Sequence, residues 1–370
     1  MVLSRAVPGL TRTDYVSDDV FHDERRRIGK KGFAFVGRAS DLALPGQFVA
    51  IEPFGERIVV YRTRDLELRA FVDRCIHRAL PMTVGSDGTL AQNGLVCRYH
   101  GLRYDDAGRV CAPKSSIPIF ARTSLSERAV AESRNDVFVA LSEDAHPRDF
   151  ERYEEGAPPW LTESFHASLA LVHRHRFRSR ANWKLIVENF QESWHFPTVH
   201  EGLHARTPHG RTTSVTLGRH WLGGTMRFQS GTETVAPSRT LGSRKYVAGP
   251  GWRKHVYDAF MYPFWLTSLQ PDYFLTYRLV PLSPLETEVQ ADIWGHVASV
   301  RKGPAEEWDA IRAFWDRTNA EDREIVERQM RGVLSPTFER MHLHPSEEDG
   351  LRAFHRRYLR DMRGARGRGH

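Results

Sequence analysis

The sequence has 370 residues, of which 40% are hydrophobic and 27% are charged, with a formal net charge of +7. This is the composition of an ordinary globular protein long enough for two domains, and no apolar run is long enough to span a membrane. Because basic and acidic residues are interleaved, the positive charge favours an acidic protein partner over nucleic acid. The first residues lack the continuous apolar core of a secretory signal, so a cytoplasmic location is predicted.

The first elements in the chain predict a small β domain. Residues 1–30 are polar and charged, and Asp18–Arg27 is predicted to be a short helix. From residue 31 to residue 141, short runs rich in Val, Ile, Phe and Tyr alternate with turns that contain Gly, Pro or Asp, which predicts antiparallel strands. Residues 142–159 are acidic and contain prolines, so they are predicted to form a linker.

A second domain is predicted to follow, with strands and helices mixed. In chain order it has a strand at 169–180, a helix at 182–200, a loop-rich segment at 204–251, strands at 260–268, 273–281 and 287–297, and a long helix at 304–332. Pro304 suits the first turn of the long helix, and Gly332 suits its end.

Two pairs of Cys and His residues lie in tight loops of the β domain: Cys75 with His77, and Cys97 with His100. Zinc sites usually group two cysteines before two histidines, whereas here the order is Cys-His and then Cys-His. This order favours a 2Fe-2S cluster in which two thiolates hold one iron and two imidazoles hold the other, with zinc as the alternative. Cys111 has no histidine partner and is predicted to be a buried structural thiol.

A candidate metal site lies in the helix predicted at residues 182–200. Glu192 and His195 are three residues apart and are predicted to share one helical face. Pro197 is predicted to break the helix, which would let His200 turn back towards His195. Two converging imidazoles suit a first-row metal, although an amphipathic helix with two surface histidines would give the same spacing.

Asp322 is the candidate third ligand. It lies within an apolar stripe of the long helix that consists of Trp308, Ile311, Phe314, Trp315, Ile325, Val326 and Met330. A carboxylate that faces a core is costly unless it is paired or coordinates a metal. An ion pair or hydrogen bond with an interior Arg, Trp or backbone donor is the alternative to a metal.

Three stretches of the chain resemble the Rieske non-haem iron oxygenases. CIHRALPM and CRYHGLRYDDAGRV resemble the two cluster loops of the family, and NWKLIVENFQESWHFPTVH resembles the mononuclear-iron segment of its α subunits. The resemblance implies an α+β fold, with an antiparallel β Rieske domain at residues 31–145. A helix-grip catalytic domain, an antiparallel sheet plus a long helix, would follow at residues 146–362. Residues 1–30 would pack on the catalytic domain, and the basic tail at residues 363–370 would be disordered.

The resemblance also implies the ligands and the assembly. Cys75 and Cys97 would bind one iron of a 2Fe-2S cluster and His77 and His100 the other, while Fe(2+) would be bound by His195, His200 and Asp322. In the family the chains form trimers, so Glu192 is expected to contact its own His195 and His100 of the partner subunit.

The implied function is that of a terminal oxygenase. A separate NAD(P)H-dependent reductase, with or without a ferredoxin, would supply electrons for O2 activation and for hydroxylation or N-demethylation of a small organic substrate. Most ring-hydroxylating dioxygenases have Asp at the position of Glu192, whereas the carnitine, choline and glycine-betaine group has Glu. In this respect the chain resembles the latter group. Ala79 departs from the Gly that is usual in the first cluster loop. The alternatives are an arene cis-dihydroxylating dioxygenase and a non-catalytic Rieske electron-transfer protein.

Aromatic residues near the iron segment have two interpretations. Phe190, Trp194, Trp221 and Trp265 could form a cage for a quaternary ammonium group, or they could pack in the core, which is the favoured interpretation. The substrate itself is not predicted from the sequence.

Overall fold

The computed structural model describes residues 6–91, 94–161, 168–210 and 212–363. The chain divides into a larger unit, Met1–Glu24 with Tyr153–His370, and a smaller unit, Arg25–Arg152. All paired strands in the described residues are antiparallel, and the helices are grouped between runs of strands, which confirms the predicted α+β class. In the described part of the chain, no helix is both long enough and apolar enough to cross a membrane.

The N-terminal segment contributes one strand and two helices. These are β1 (Val7–Thr11), α1 (Arg12–Val16) and α2 (Asp18–Arg27). The helix predicted from the sequence over Asp18–Arg27 is therefore confirmed. Strand β1 pairs antiparallel with Arg340–Leu343, so this segment joins the larger unit through a two-stranded sheet.

The smaller unit is built from short antiparallel strands. Its elements are β2 (Phe33–Arg38), β3 (Gln47–Ile51), β4 (Ile58–Arg62), β5 (Leu68–Val72), β6 (Asp87–Thr89), β7 (Arg103–Tyr104), β8 (Val110–Ala112), α3 (Ile117–Phe120), β9 (Val130–Ser133), β10 (Asp136–Ala140) and α4 (Pro147–Glu154). The strands form sheets in the orders β2-β10-β9, β5-β4-β3-β6 and β7-β8. Branched aliphatic side chains from the first two sheets, such as Val36, Val60 and Val137, share one core.

The larger unit is a seven-stranded antiparallel sheet with a long helix packed on it. Its elements are β11 (Leu169–Ser179), α5 (Trp183–Phe190), α6 (Phe196–Val199), α7 (Glu201–His204), β12 (Thr212–Thr216), β13 (Trp221–Arg227), β14 (His255–Met261), β15 (Trp265–Leu269), β16 (Tyr273–Ser283), β17 (Glu286–His296), α8 (Val297–Lys302), α9 (Ala305–Val333), β18 (Arg340–Leu343) and α10 (Asp349–Arg363). The strand order is β11-β17-β16-β15-β14-β13-β12. Ile311 and Trp315 of α9 pack with Leu275 and Ile293 of the sheet, so the sheet sets the position of this helix.

Several predicted boundaries were wrong. The segment at 204–251 contains β12 and β13 in addition to loops, and the strand at 260–268 is two strands that turn at Tyr262 and Pro263. Gly223 and Gly224 obscured β13, because a Cβ at either position would lie within 2.8 Å of a neighbouring strand's carbonyl oxygen.

Two predictions about connecting segments also need correction. The linker predicted at 142–159 contains α4, whose Phe150 and Tyr153 are buried, so apolar residues in the acidic stretch order it. Of the tail predicted to be disordered, Arg363 ends α10, and residues 364–370 lie outside the described residues.

Glu24 links the N-terminal segment to the rest of the larger unit. This buried carboxylate of α2 accepts hydrogen bonds from Trp183 Nε1 at 2.9 Å and Tyr358 Oη at 2.8 Å, and it pairs with the buried ammonium of Lys184. Removal of one partner of a buried ion pair leaves the other charge without compensation.

We expect Glu24→Gln to lower the free energy of unfolding by about 3–5 kcal/mol, because Lys184 would lose its counter-charge. The matched control is Asp19→Asn, an exposed carboxylate on the same helix, which should change it by less than about 0.5 kcal/mol. Urea denaturation of the two variants measures the difference. Equal stabilities would show that the pair contributes nothing.

Candidate active site and cluster-binding loops

The segment predicted to bind iron begins on a capped helix and continues through a tight turn. Asn182 caps α5 by accepting a hydrogen bond from the N–H of Lys184 at 3.0 Å, and the helix ends at Phe190. The prediction that Glu192 and His195 share a helical face was therefore wrong. Pro197 does not break a helix either, since it lies in the first turn of α6, where proline is tolerated.

The side chain of Glu192 shapes the turn that replaces the expected helix. Its carboxylate accepts hydrogen bonds from the backbone N–H groups of Trp194 and His195, the latter at 3.2 Å. Its other oxygen lies 2.5 Å from Nδ1 of His195. One carboxylate thus closes the turn and orients the imidazole that the turn carries.

His195, His200 and Asp322 converge in the structure. Nε2 of His200 lies 2.8 Å from Oδ1 of Asp322, and Nε2 of His195 lies 3.7 Å from the same oxygen. One ligand atom from each of the three residues lies within 4.8 Å of the other two. The Asp322 side chain is 30% exposed, so it lies at an edge of the core. The prediction had placed it among core residues.

A second carboxylate, Glu321, was missed in the sequence. Its Oε2 lies 2.7 Å from Nδ1 of His200, which matches the contact of Glu192 with His195. Burial opposes charging of His200, but hydrogen bonds and charge from Asp322 and Glu321 outweigh it and raise the pKa of this imidazole. With both Nδ1 atoms held by carboxylates, both Nε2 atoms can face a metal. The only sequence signal is the position of Glu321 beside Asp322.

These residues border a cavity with mainly apolar walls. It offers about 100 Å³ to the centres of water-sized molecules. The apolar residues that line it are Phe177, Ile186, Phe190, Phe196, Leu203, Met226, Leu266, Leu275, Leu279, Val289, Trp315 and Val326. Of the four aromatic residues considered for a cage, Phe190 lines the cavity, while Trp194 is 49% exposed. Trp221 and Trp265 are buried and pack on each other at 6.0 Å, as the favoured core interpretation predicts.

Asp258 is the second acidic residue that sequence reasoning missed. It lies on β14 and lines the same cavity. Burial in these apolar surroundings raises the pKa of its carboxyl to about 7, and a hydrogen bond with Ser268 opposes that rise. The signal was an acidic residue within the apolar run of HVYDAFM, which becomes meaningful only once the strand's faces are known.

The two loops of the smaller unit that are predicted to bind a cluster have the same backbone hydrogen bonds. In each, the Cys N–H donates to a Leu carbonyl five residues ahead, and the Cys carbonyl accepts from the residue four ahead. The bonds are Cys75 N to Leu80 O, Ala79 N to Cys75 O, Cys97 N to Leu102 O and Gly101 N to Cys97 O, at 2.8 to 3.0 Å. Ala79 has a φ of 60° and Gly101 a φ of 72°, so Ala79 adopts the left-handed conformation that favours glycine.

The loops bring two thiols and two imidazoles together. Cys75 and Cys97 are buried, and the hydroxyl of Tyr104 lies 3.1 Å from the Cys75 sulfur. The rings of His77 and His100 are exposed, with their centroids 4.6 Å apart. Burial of the thiols and exposure of the imidazoles would place the histidine side of a cluster at the surface of this unit.

The prediction for Cys111 was wrong, because this thiol is exposed. It lies in the middle of β8, where side chains alternate between the two faces of the strand. Val110 takes the buried position beside it, so Cys111 points outwards.

Family models identify the protein's relatives. The model described as the ring hydroxylating alpha subunit (catalytic domain) matches residues 166–364, and the Rieske [2Fe-2S] domain matches residues 32–121. The chain belongs to the ring-hydroxylating α-subunit family. This confirms the resemblance to Rieske oxygenases, and a Rieske cluster and a mononuclear iron follow from the two matched domains. The match to a catalytic domain also argues against a simple electron carrier.

Among curated relatives, the carnitine monooxygenase oxygenase subunit of Acinetobacter pittii is 28% identical over 217 residues, covering 56% of this chain and 54% of that relative. The chain therefore spans about half the length of that relative. The carnitine monooxygenase oxygenase subunit of Escherichia coli is 25% identical over 335 residues, covering 87% of this chain and 83% of the relative.

Solved structures of the family share the fold of this chain. The quaternary ammonium Rieske monooxygenase CntA with a bound inhibitor has a TM-score of 0.79 at 20% identity, covering 97% of this chain and 96% of that one. A naphthalene 1,2-dioxygenase variant bound to phenanthrene has a TM-score of 0.75 at 18% identity, covering 98% and 94%. Both likenesses agree with the predicted pairing of a Rieske domain with a helix-grip catalytic domain.

The donor groups of this chain fit the two iron centres of the family. Two thiols and two imidazoles are the donors that a Rieske cluster needs. Two imidazoles and a carboxylate beside a cavity are the donors of the facial triad of non-haem iron oxygenases, which leaves open positions on the metal.

We expect Glu321→Gln to weaken iron binding by about 10- to 100-fold, because His200 would lose the carboxylate that orients and polarises it. The matched control is Glu324→Gln, an exposed carboxylate on the same helix. Iron retained against a graded chelator measures the effect, with the visible absorbance of the cluster as an internal reference. The role assigned to Glu321 is wrong if both variants retain iron equally.

Proposed function

We propose that the protein is the terminal oxygenase of a system in which a separate NAD(P)H-dependent reductase supplies electrons. Its substrate is a small cationic amine, which it hydroxylates next to nitrogen and thereby N-demethylates. The observation that carries this proposal is Asp258, an acidic group in an otherwise largely apolar cavity that is shared with His195, His200 and Asp322. Names of relatives support it, since they refer to carnitine, glycine betaine and quaternary ammonium compounds.

The ligands are part of the same proposal. We assign one iron of the cluster to Cys75 and Cys97 and the other to His77 and His100; His195, His200 and Asp322 hold the mononuclear iron. When bound, these centres supply electrons and activate O2 for insertion into a C–H bond. Glu192 and Glu321 keep the Nδ1 protons of the two histidines in place, so that the Nε2 atoms remain available as ligands.

The cavity sets the size and charge of the substrate. The cavity is larger than a single water needs, roughly 10–15 Å³, and it suits a small organic molecule. Apolar walls exclude water and favour the methyl groups of an amine. An ionised Asp258 would hold the cationic nitrogen and turn a methyl group towards the ligands of the iron.

The chemistry balances with the reductants of the system. One O2, two electrons and two protons convert an N-methyl group into an N-hydroxymethyl group and water. The C–N bond of this product then breaks, which releases formaldehyde and the demethylated amine. Arene cis-dihydroxylation, the alternative, needs no acidic group in the cavity to bind a cation.

The experiment is an aerobic assay with a surrogate reductase, NADH, and panels of N-methylated amines and arenes. We expect formaldehyde from amines, in proportion to the NADH consumed, and no diol from arenes. Asp258→Asn should raise KM for a cationic substrate by about 30-fold or more, which corresponds to the low end of ~2–5 kcal/mol for a buried charge pair. Asp309→Asn, an exposed carboxylate on α9, is the matched control.

The same variants test the sign of the pH dependence. Since burial raises the pKa of Asp258 to about 7, its charged form is lost below pH 7 and present above it. KM for the cation should therefore fall as the pH rises from about 6 to 8 in the wild-type protein, and this slope should disappear in Asp258→Asn. Diol formation from an arene, or an unchanged KM in Asp258→Asn, would contradict the proposed substrate class.

We also propose a homotrimer in which Glu192 lies between its own His195 and His100 of the partner subunit. The exposure of His77 and His100 supports it, as does the contact of Glu192 with His195. Light scattering should give the mass of three chains. Glu192→Gln should slow oxidation of the reduced cluster by O2 and substrate while leaving cluster reduction unchanged. A monomeric active enzyme would contradict the proposal.

The cytoplasmic location stays a prediction.

A further inference from the structure

A second group of two histidines and a carboxylate lies in the larger unit, apart from the proposed iron ligands. His173 and His175 come from β11, and Asp316 comes from α9. His173 Nε2 lies 3.1 Å from Oδ1 of Asp316, and His175 Nδ1 lies 3.3 Å from the same oxygen. One ligand atom from each residue lies within 4.8 Å of the other two. We propose that these three residues bind a second divalent transition metal, with zinc as the representative ion.

The local structure explains why these side chains meet. Residues two apart on a strand point to the same face, so His173 and His175 project together from β11. Helix α9 packs against β11 and places Asp316 opposite both rings. The convergence comes from two regular elements and not from a loop, which suits a geometrically defined site.

The His175 ring carries a second observation that points to a ligand. Its Nδ1 is buried and has no hydrogen-bond partner among the described residues, although it lies 3.3 Å from Asp316. A buried polar atom without a partner is costly, and a metal ion between Nδ1 and the carboxylate would remove that cost. The site is not sealed, since the three side chains are 23%, 38% and 39% exposed, so an ion can enter and a water can complete its coordination.

The two arginines next to the histidines in the sequence do not oppose a cation at this position. Arg174 and Arg176 alternate with the two histidines and point to the other face of β11. There Arg174 forms a bidentate pair with Asp292, and Arg176 donates to Gln290. Imidazole with carboxylate is a donor set that suits zinc, copper, nickel or iron, and it is the chemistry of the proposed iron site in a different place.

The metal would join two elements that line the substrate cavity. Asp316 and Asp322 are six residues apart on α9, which is about 9 Å along the helix axis. Asn319, between them, lines the cavity, and so do Phe177 and Ser179 of β11, which follow His175. A metal at this position would hold β11 against α9 and so stabilise one wall of the cavity. We expect it to affect stability and KM more than kcat.

The experiment uses the full-length protein with its cluster and iron loaded. Titration with Zn²⁺ in a calorimeter, followed by metal analysis, should show one equivalent of zinc bound without loss of iron, and Tm should rise. The double variant His173→Ala with His175→Ala should lose that equivalent and the rise in Tm while keeping its iron. His342→Ala, an exposed strand histidine, is the matched control and should behave as wild type.

Asp316→Asn keeps the proposal testable if the double variant fails to fold, because it retains the shape of the side chain and removes its charge. It should bind zinc more weakly than wild type with unchanged iron content. Zinc that binds equally to wild type and variants, that binds only by displacing iron, or that does not bind at all would overturn the proposed site. None of these outcomes depends on whether the enzyme oxidises an amine, so the test is separate from that of the proposed function.

Discussion

The proposed active site depends on hydrogen bonds between imidazole rings and carboxylates that come from distant parts of the chain. His200 is 2% exposed, and both of its ring nitrogens face carboxylates of α9, Glu321 at 2.7 Å and Asp322 at 2.8 Å. A buried imidazole without such partners would be costly. These contacts therefore link the proposed iron-binding segment to α9, and neither can move alone without leaving polar groups unsatisfied.

The sheet makes this arrangement possible because it sets where α9 lies. Ile311 and Trp315 anchor the helix on the sheet, and Asp322 follows Trp315 by about two helical turns, at the cavity. The segment after α5 lines the same cavity, with its turn closed by the Glu192 side chain. The result is a proposed metal site beside a largely apolar cavity, and Asp258 adds an acidic group to the same cavity.

Features that depend on local spacing could be predicted from the sequence. The order of Cys75, His77, Cys97 and His100 indicated the type of cluster, and the long helix was placed to within a residue. Ala79, noted as a departure from glycine, has the positive φ that explains the usual preference for glycine there. Such features are encoded within a few residues of one another.

Residues whose roles depend on tertiary packing could not be predicted in this way. Glu321 and Asp258 become significant only when one knows which ring and which cavity they face. The end of α5 at Phe190 was missed because the Glu192 side chain accepts hydrogen bonds from backbone N–H groups of the following turn. In a longer helix, backbone carbonyls would have accepted those hydrogen bonds. The proposed site at His173, His175 and Asp316 likewise joins residues more than 140 positions apart.

The most direct measurement is the iron content of Asp322→Ala, with the visible absorbance of the cluster recorded on the same sample and Glu324→Ala as the control. We predict that Asp322→Ala loses about one iron per chain, that the cluster absorbance is unchanged, and that O2-dependent product formation is abolished. An Asp322→Ala protein that keeps its full iron content and its activity would contradict the assignment of this carboxylate, and with it the proposed site.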